Sequence, residues 1–172
     1  MKFHEHIIRA SVPELPIELT REDLVAGIAD FARHPDCYIN EADSSRLTRP
    51  EVREETGGIV FGREICFGKL RFEETVRLFA DGTYVAHIEA DGVRPASDFT
   101  MKIEEPEDGV FFVRFVYDED CEPTKKESVQ EQRIAALRRM AYESKDRDVL
   151  SKILENIVRD RMGGETSAQK SA

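Results

Sequence analysis

One arginine and one glutamate interrupt two strand patterns that are otherwise apolar. At alternate positions Arg63 is flanked by Ile59, Phe61, Ile65 and Phe67, and Glu74 is flanked by Leu70, Phe72, Val76 and Leu78. Burying either charge alone is costly, so an enclosed arginine and glutamate are expected to pair. Such a pair either orients a ligand carboxylate, carbonyl or hydroxyl in an apolar cavity, or it is a purely structural ion pair.

The spacing of the two patterns predicts that Arg63 and Glu74 face each other. Gly68 and Lys69 separate the patterns, and glycine can supply the positive φ that the first position of a two-residue hairpin turn requires. With this turn, Phe67 pairs with Leu70, and the apolar faces of both strands coincide along the whole hairpin. A shift by one residue would place the two apolar sets on opposite faces of the sheet.

A second turn brings Tyr84 to the same apolar face. Residues 80–82, Ala-Asp-Gly, suit a three-residue loop with glycine in the left-handed conformation. This loop pairs Leu78 with Tyr84, Val76 with Ala86 and Glu74 with Ile88. A two-residue turn would place His87 and Glu89 on that face, so the pattern favours the longer loop.

The residues that share this face are the candidates for a ligand-binding site. We assign to it Arg63, Glu74, Phe61, Ile65, Phe72, Tyr84, Phe99 and Met101. The apolar members are equally suited to a plain hydrophobic core, because composition does not distinguish a core residue from a pocket wall. Strand 110–117 is apolar on both faces, so its register and its share in the site stay open.

The spacing of histidines and cysteines indicates neither a metal site nor a catalytic nucleophile. His4 and His6 share a strand face, but His87, the third histidine expected on a strand, is predicted to point outward. A zinc site needs three or four convergent nitrogen or sulfur ligands. Cys66 has no histidine placed to act as its base, and the sequence contains no glycine-rich phosphate loop or nucleophile elbow. We therefore predict no catalytic residue, no metal and no cofactor.

The composition fits a soluble protein that does not bind nucleic acid. The chain has 172 residues, of which 35% are charged, and it lacks the run of about 20 apolar residues that spans a membrane. The formal charge is −10 and the basic residues are scattered, whereas phosphate binding needs a concentrated basic surface. Three widely spaced cysteines and the absence of a signal-peptide pattern predict a cytoplasmic location.

Before the predicted sheet, the sequence indicates one strand and one interrupted helix. Residues 2–12 have the pattern of a strand that ends before a proline. Thr20 and Asp23 form a capping box for a helix, which Pro35 interrupts. A short helical turn is expected at 36–39, because proline is tolerated at the start of a helix.

After the predicted sheet, a long helix is expected to complete the domain. Ser128 and Glu131 form a second capping box. The apolar residues of the two halves of this helix point in different directions, which predicts a kink, a break or a change of facing at 144–148. Residues 1–162 are predicted to be one domain. Residues 163–172 are small and polar, and we expect them to be a disordered tail.

Six short motifs carry a resemblance to a known family. They are LTREDL at 19–24, ARHP at 32–35, IEEP at 103–106, FVRF at 112–115, AY at 141–142 and DRDV at 146–149. With the order of the elements, they resemble the AtaL-like branch of the START/birch-pollen-allergen (SRPBCC) superfamily over roughly residues 1–160. The resemblance implies an α+β helix-grip fold, in which a curved antiparallel sheet wraps around a long C-terminal helix and a short two-part helix follows the first strand.

The resemblance also implies a class of ligand. Members of the superfamily bind lipids, sterols and aromatic metabolites between sheet and helix, and some are polyketide cyclases or aromatases. We therefore expect a carrier or sensor that binds a small hydrophobic or aromatic molecule. One alternative is a cyclase-like enzyme with Glu74 or Tyr84 as its acid or base. The other is a protein-interaction module with a filled core, and a homodimer is left open.

Overall fold

The structure is a seven-stranded antiparallel sheet packed against a long C-terminal helix. The computed structural model describes residues 1–121 and 127–170, with side chains described up to Gly164. The strands are β1 (Lys2–Arg9), β2 (Ser44–Arg53), β3 (Ile59–Phe67), β4 (Leu70–Leu78), β5 (Tyr84–Ile88), β6 (Ser97–Glu107) and β7 (Val110–Glu119). The helices are α1 (Arg21–Arg33) and α2 (Val129–Lys170), and a 3₁₀ turn, Pro35–Cys37, follows α1. This arrangement is the expected helix-grip fold.

The sheet is ordered β1-β7-β6-β5-β4-β3-β2, so the last strand, β7, returns to pair with the first strand, β1. Every strand from β2 to β7 pairs with its neighbour in sequence, and the long connection from β1 to β2 contains α1. β1 ends at Arg9, shorter than the predicted 2–12, because the chain leaves the ladder before its prolines. The register that the sequence left open places Phe111, Val113, Phe115 and Tyr117 of β7 inward.

The hairpin of β3 and β4 has the predicted register. Phe67 pairs with Leu70 and Arg63 pairs with Glu74. Gly68 has φ +59°, as its place in the two-residue turn requires. In the next hairpin, Leu78 pairs with Tyr84, as predicted.

The capping box of α1 is formed as predicted. The Asp23 N–H donates to the Thr20 hydroxyl, and the Thr20 N–H donates to the Asp23 carboxylate. The helix ends at Arg33, before His34 and Pro35, and its inward face carries the buried residues Leu24, Ile28, Phe31 and Ala32. The helix therefore lies with its apolar stripe toward the sheet.

The long helix α2 is continuous from Val129 to Lys170, so the chain does not break at 144–148. What changes there is the environment. Ile134, Leu137 and Met140 are exposed, whereas Val149, Leu150 and Ile153 are buried against the rest of the protein. The described backbone of α2 extends to Lys170, and residues 171–172 lie outside the described residues. The domain limit at 162 and the tail at 163–172 stay predictions. No helix in the described residues is both long and apolar enough to span a membrane.

Candidate functional site

A cavity of about 690 Å³ lies between the inner face of the sheet and α2. Strands β3 to β7 supply most of its walls, α1 supplies Phe31, and α2 supplies Ala141, Tyr142, Ser144 and Lys145. Its lining is dominated by apolar and aromatic side chains, with a few polar groups at two separate places. Binding sites for small molecules typically combine an apolar wall with a few placed polar groups in this way.

The first polar group of the cavity is centred on Arg63. Its Nε donates to Glu74 Oε2 at 2.7 Å, its Nη1 donates to the carbonyl of Ala32 in the last turn of α1, and its Nη2 donates to the Tyr84 hydroxyl at 2.5 Å. Arg63 is only 3% exposed. The guanidinium is therefore occupied by the protein itself, and it joins the hairpin to the C-terminal end of α1.

Tyr84 is the member of this group whose proton is available. Its oxygen accepts from Arg63, so its own O–H can donate to an acceptor in the cavity. Burial raises the pKa of Tyr84, the Arg63 charge acts against this, and the Glu74 charge adds to it. The hydroxyl thus stays protonated over the whole physiological pH range and serves as a donor.

The second polar group is the ammonium of Lys145 at an aromatic wall. Phe99, Tyr117 and Tyr142 form the wall, with ring centroids 4.8 Å apart for Phe99 and Tyr117 and 4.2 Å apart for Tyr117 and Tyr142. Lys145 Nζ lies 4.2 Å from the centroid of Phe99 and 5.2 Å from that of Tyr117. The ammonium is attracted to the ring faces, which stabilises its position at the wall.

Behind the aromatic wall, the buried carboxylate of Asp146 fastens α2 to the sheet. The Tyr117 hydroxyl lies 2.8 Å from its Oδ1 and 2.7 Å from its Oδ2, and His6 Nε2 lies 2.7 Å from Oδ2. Burial raises the pKa of Tyr117, and the Asp146 charge adds to the effect. Tyr117 is therefore held as a hydrogen-bond donor to Asp146, and it lines the cavity with its ring rather than with its hydroxyl.

Besides Glu74, four acidic residues belong to the lining: Glu41, Asp98, Asp118 and Glu119. Asp98 and Asp118 are cross-strand partners, and Asp98 shares the outer face of the sheet with His87, so these two side chains point away from the cavity. Asp98 is paired with His87 at 2.8 Å, and its hydrogen bond raises the pKa of that histidine. Glu119 is paired with Arg138 of α2. Within the described part of the chain, Glu41 and Asp118 have no ion-pair partner.

Six of the eight residues assigned to the site from the sequence line the cavity: Arg63, Glu74, Ile65, Phe72, Tyr84 and Phe99. Phe61 and Met101 do not line it. Both are almost fully buried in the hydrophobic core, because the space above them is filled by neighbouring side chains. The shared face was predicted, but which part of it borders the cavity depends on where α1 and α2 cover it.

Sequence reasoning missed the contribution of α2 and β7, namely Tyr117, Tyr142 and Lys145. The register of β7 was open, so Tyr117 was not assigned to a face. The burial of Asp146 could have been predicted from the sequence. This charged residue lies four positions after Tyr142 and three before Val149, in the stripe that packs on the sheet. A charge in such a stripe indicates a buried polar contact.

The histidines and cysteines are arranged differently from a metal site. His4 and His6 share a face and their rings stack, with centroids 5.3 Å apart, whereas His87 points to the outer side with Asp98. The described residues contain no group of three or more metal-ligating side chains with suitable geometry. Cys37, Cys66 and Cys121 are free thiols.

Comparison with protein families places most of the chain in one of them. The family model described as "AtaL: Acetylaranotin biosynthesis cluster protein L" matches residues 8–159. No curated protein sequence matches the chain.

Solved structures of low sequence identity share the fold. The 18 kDa protein CC1736 from Caulobacter crescentus is 15% identical, with 93% of this chain and 99% of that chain covered and a TM-score of 0.56. The Zhui aromatase/cyclase from Streptomyces sp. R1128 is 12% identical, with coverages of 91% and 93% and a TM-score of 0.56. Ara h 8.0201 is 13% identical, with coverages of 88% and 97% and a TM-score of 0.51.

Proposed function

The chain belongs to the AtaL family, and we propose that it binds a small apolar or aromatic molecule in the cavity between its sheet and α2. The observation that carries the proposal is the cavity itself. About 690 Å³ is the size of a typical small-molecule site, and apolar side chains dominate its lining. A carrier or sensor needs no more than this space and a few groups that orient the ligand.

The structure changes the part that Arg63 plays in this proposal. The sequence left two roles open for the Arg63–Glu74 pair: it orients a ligand carboxylate, carbonyl or hydroxyl, or it is a purely structural ion pair. Because Arg63 is only 3% exposed and each of its three nitrogens already donates to Glu74, the Ala32 carbonyl or Tyr84, we assign it a positioning role. The O–H of Tyr84, which Arg63 orients, is the group at this end of the cavity that can meet a ligand acceptor.

Native mass spectrometry of gently purified protein tests the proposal. We expect a co-purified small molecule on the wild type and none on Ala86→Phe, because Ala86 lines the cavity and is 2% exposed, so a larger side chain occupies ligand space. Ser97→Trp, at a half-buried position of the lining, blocks the same space with less risk to folding. Ala136→Phe, on the exposed side of α2, is the matched control and should retain the molecule.

The expected result needs both blocking variants to be folded, which circular dichroism establishes. A molecule that remains bound to folded Ser97→Trp and Ala86→Phe would contradict binding in this cavity. Titration with a neutral naphthalene probe replaces the co-purified molecule if purification removes it.

A cyclase-like enzyme is the second candidate. The fold shared with an aromatase/cyclase and the Tyr84 hydroxyl in the cavity support it. A buried tyrosine held in its protonated form is suited to donate a proton or a hydrogen bond to a carbonyl oxygen. In this case Tyr84→Phe keeps ligand binding and loses turnover, whereas a carrier has no turnover to lose.

A protein-interaction module is the third candidate from the sequence, and its premise of a filled core does not fit the cavity. The exposed apolar residues of α2 include Ile134, Leu137 and Met140, in the first half of the helix. A homodimer and a cytoplasmic location remain predictions.

A further inference from the structure

Lys145 lines the cavity, and its ammonium has N–H donors that no acceptor in the described residues uses. Its ammonium has three N–H donors, and its side chain is 23% exposed. The nearest carboxylate oxygen in the described residues is Asp146 Oδ1 at 3.4 Å, and that carboxylate already receives Tyr117 and His6. No well-formed hydrogen bond to the described part of the chain uses the remaining donors.

From this position we infer the class of ligand: an uncharged aromatic molecule with a carbonyl oxygen, which the ammonium of Lys145 binds beside the wall of Phe99, Tyr117 and Tyr142. The inference rests on the proposed function and deepens it. An acceptor oxygen bound to an ammonium gains a charge-assisted hydrogen bond, which is stronger than a neutral one. The adjacent rings offer the apolar contact that an aromatic body needs.

The neighbouring charges explain why the ligand should be uncharged. A carboxylate bound at Lys145 would lie close to Asp146, whose Oδ1 is 3.4 Å from the ammonium, in a cavity that Glu41 and Glu119 also line. Among these, Glu41 has no ion-pair partner in the described residues, and the chain carries a formal charge of −10. A ligand anion is therefore repelled by its surroundings, whereas a carbonyl dipole keeps the benefit of the ammonium.

A cationic ligand is disfavoured for a different reason. The place at the aromatic wall that would attract a ligand cation is already taken by Lys145 Nζ, 4.2 Å from the Phe99 centroid. A second positive charge there would be repelled by the first. The neutral carbonyl compound is thus the class that agrees with both the ammonium and the carboxylates.

Three naphthalene probes of similar size test the inference by titration calorimetry. They are 2-acetylnaphthalene, which has the carbonyl, 2-isopropenylnaphthalene, which lacks the oxygen, and 2-naphthoate, which is an anion. In the wild type, we expect the ketone to bind about tenfold more tightly than the hydrocarbon, because a hydrogen bond to a charged donor is worth that ratio or more. We expect 2-naphthoate to bind more weakly than the ketone.

Variants then assign the preference to Lys145. In Lys145→Met, the ketone and the hydrocarbon should bind within about twofold of each other, because the donor is gone and a long apolar side chain remains. Lys102→Met is the matched control, since it removes the same charge from an exposed position of β6 and should leave the preference unchanged.

Three outcomes would overturn the inference. Equal affinity for ketone and hydrocarbon in the wild type, or a preference that survives Lys145→Met, refutes the role of Lys145. Tighter binding of 2-naphthoate than of the ketone refutes the uncharged class. In each of these cases the hydrocarbon still binds and the proposed cavity function stands. If none of the three probes binds, both the inference and the proposed function fail.

Discussion

At the scale of single residues, the feature that organises one end of the cavity is Arg63. It contacts β4 through Glu74, β5 through Tyr84 and α1 through the Ala32 carbonyl. The carbonyls at a helix C-terminus lack partners within the helix, so this guanidinium also caps α1. A charge buried at 3% exposure is stable here because every side of it meets an acceptor.

Replacing one member of the pair should therefore be more harmful than replacing both. We expect Arg63→Met to lower the free energy of unfolding by about 3–5 kcal/mol, because it leaves Glu74 and the end of α1 unpaired. The double variant Arg63→Met, Glu74→Leu should regain a large part of that loss. Urea unfolding measures both, and Arg71→Met, at an exposed ion pair with Glu64, should change the stability by less than about 1 kcal/mol.

Two results of these unfolding measurements would contradict the role of the ion pair. If the double variant is as unstable as the sum of the two single variants, the pair does not act as a unit. If Arg63→Met is as stable as the wild type, water or a neighbouring group satisfies the site, and the guanidinium has no structural role.

The sequence was sufficient to predict that Arg63 meets Glu74, since both the two-residue turn and the apolar period lead to that register. It was not sufficient to predict the other partners. The Ala32 carbonyl and Tyr84 approach Arg63 only because α1 folds back over the sheet, and no local pattern encodes that distance. For the same reason, nothing in the sequence showed that Lys145 borders the cavity.

At the scale of elements, the hairpins and the long C-terminal helix were predictable, but the form of the change at 144–148 was not. Each hairpin turn places a glycine where a positive φ is needed, and the period of two then sets the register. In α2, the apolar stripes of the two halves predict a kink, a break or a change of facing at 144–148. The helix is continuous and the apolar stripe of its first half, with Ile134 and Leu137, is exposed, so the two stripes mark a change of facing.

The two hairpin glycines should differ in how well they tolerate alanine. Gly68 and Gly82 both have positive φ, at +59° and +87°, which costs any alanine about 1 kcal/mol. A Cβ at Gly68 meets nothing within 4 Å, whereas a Cβ at Gly82 would lie 2.6 Å from Val25 Cγ2 of α1. We expect Gly82→Ala to be the more destabilising of the two in thermal unfolding, and equal melting temperatures would refute the close approach of this turn to α1.

At the scale of the whole molecule, the interior holds several tyrosines that keep their protons. Burial raises the pKa of Tyr38 from 10.0 to about 12, and its hydrogen bond to Asp30 adds to the shift. Burial raises the pKa values of Tyr84 and Tyr117 as well. These residues lie in the core that connects α1, the sheet and α2.

The shift of Tyr38 predicts a loss of stability at alkaline pH. Between pH 10 and pH 12 the unfolded chain releases this proton and the folded protein retains it, so the free energy of unfolding falls as the pH rises through that range. Tyr38→Phe removes one such group, and its stability should fall less steeply over the same range. Urea unfolding at a series of pH values measures the two slopes, and identical slopes would contradict the burial of a titrating Tyr38 hydroxyl.

The proposed function requires that a ligand enters the space between the sheet and α2. Intermolecular nuclear Overhauser effects between bound 2-isopropenylnaphthalene and the methyl groups of the protein test it most directly. We predict contacts to Ile65, Ala86 and Ile88, which line the cavity. Contacts confined to the exposed methyl groups of Ile134 and Leu137 would place the ligand on the outer face of α2 and contradict a binding cavity.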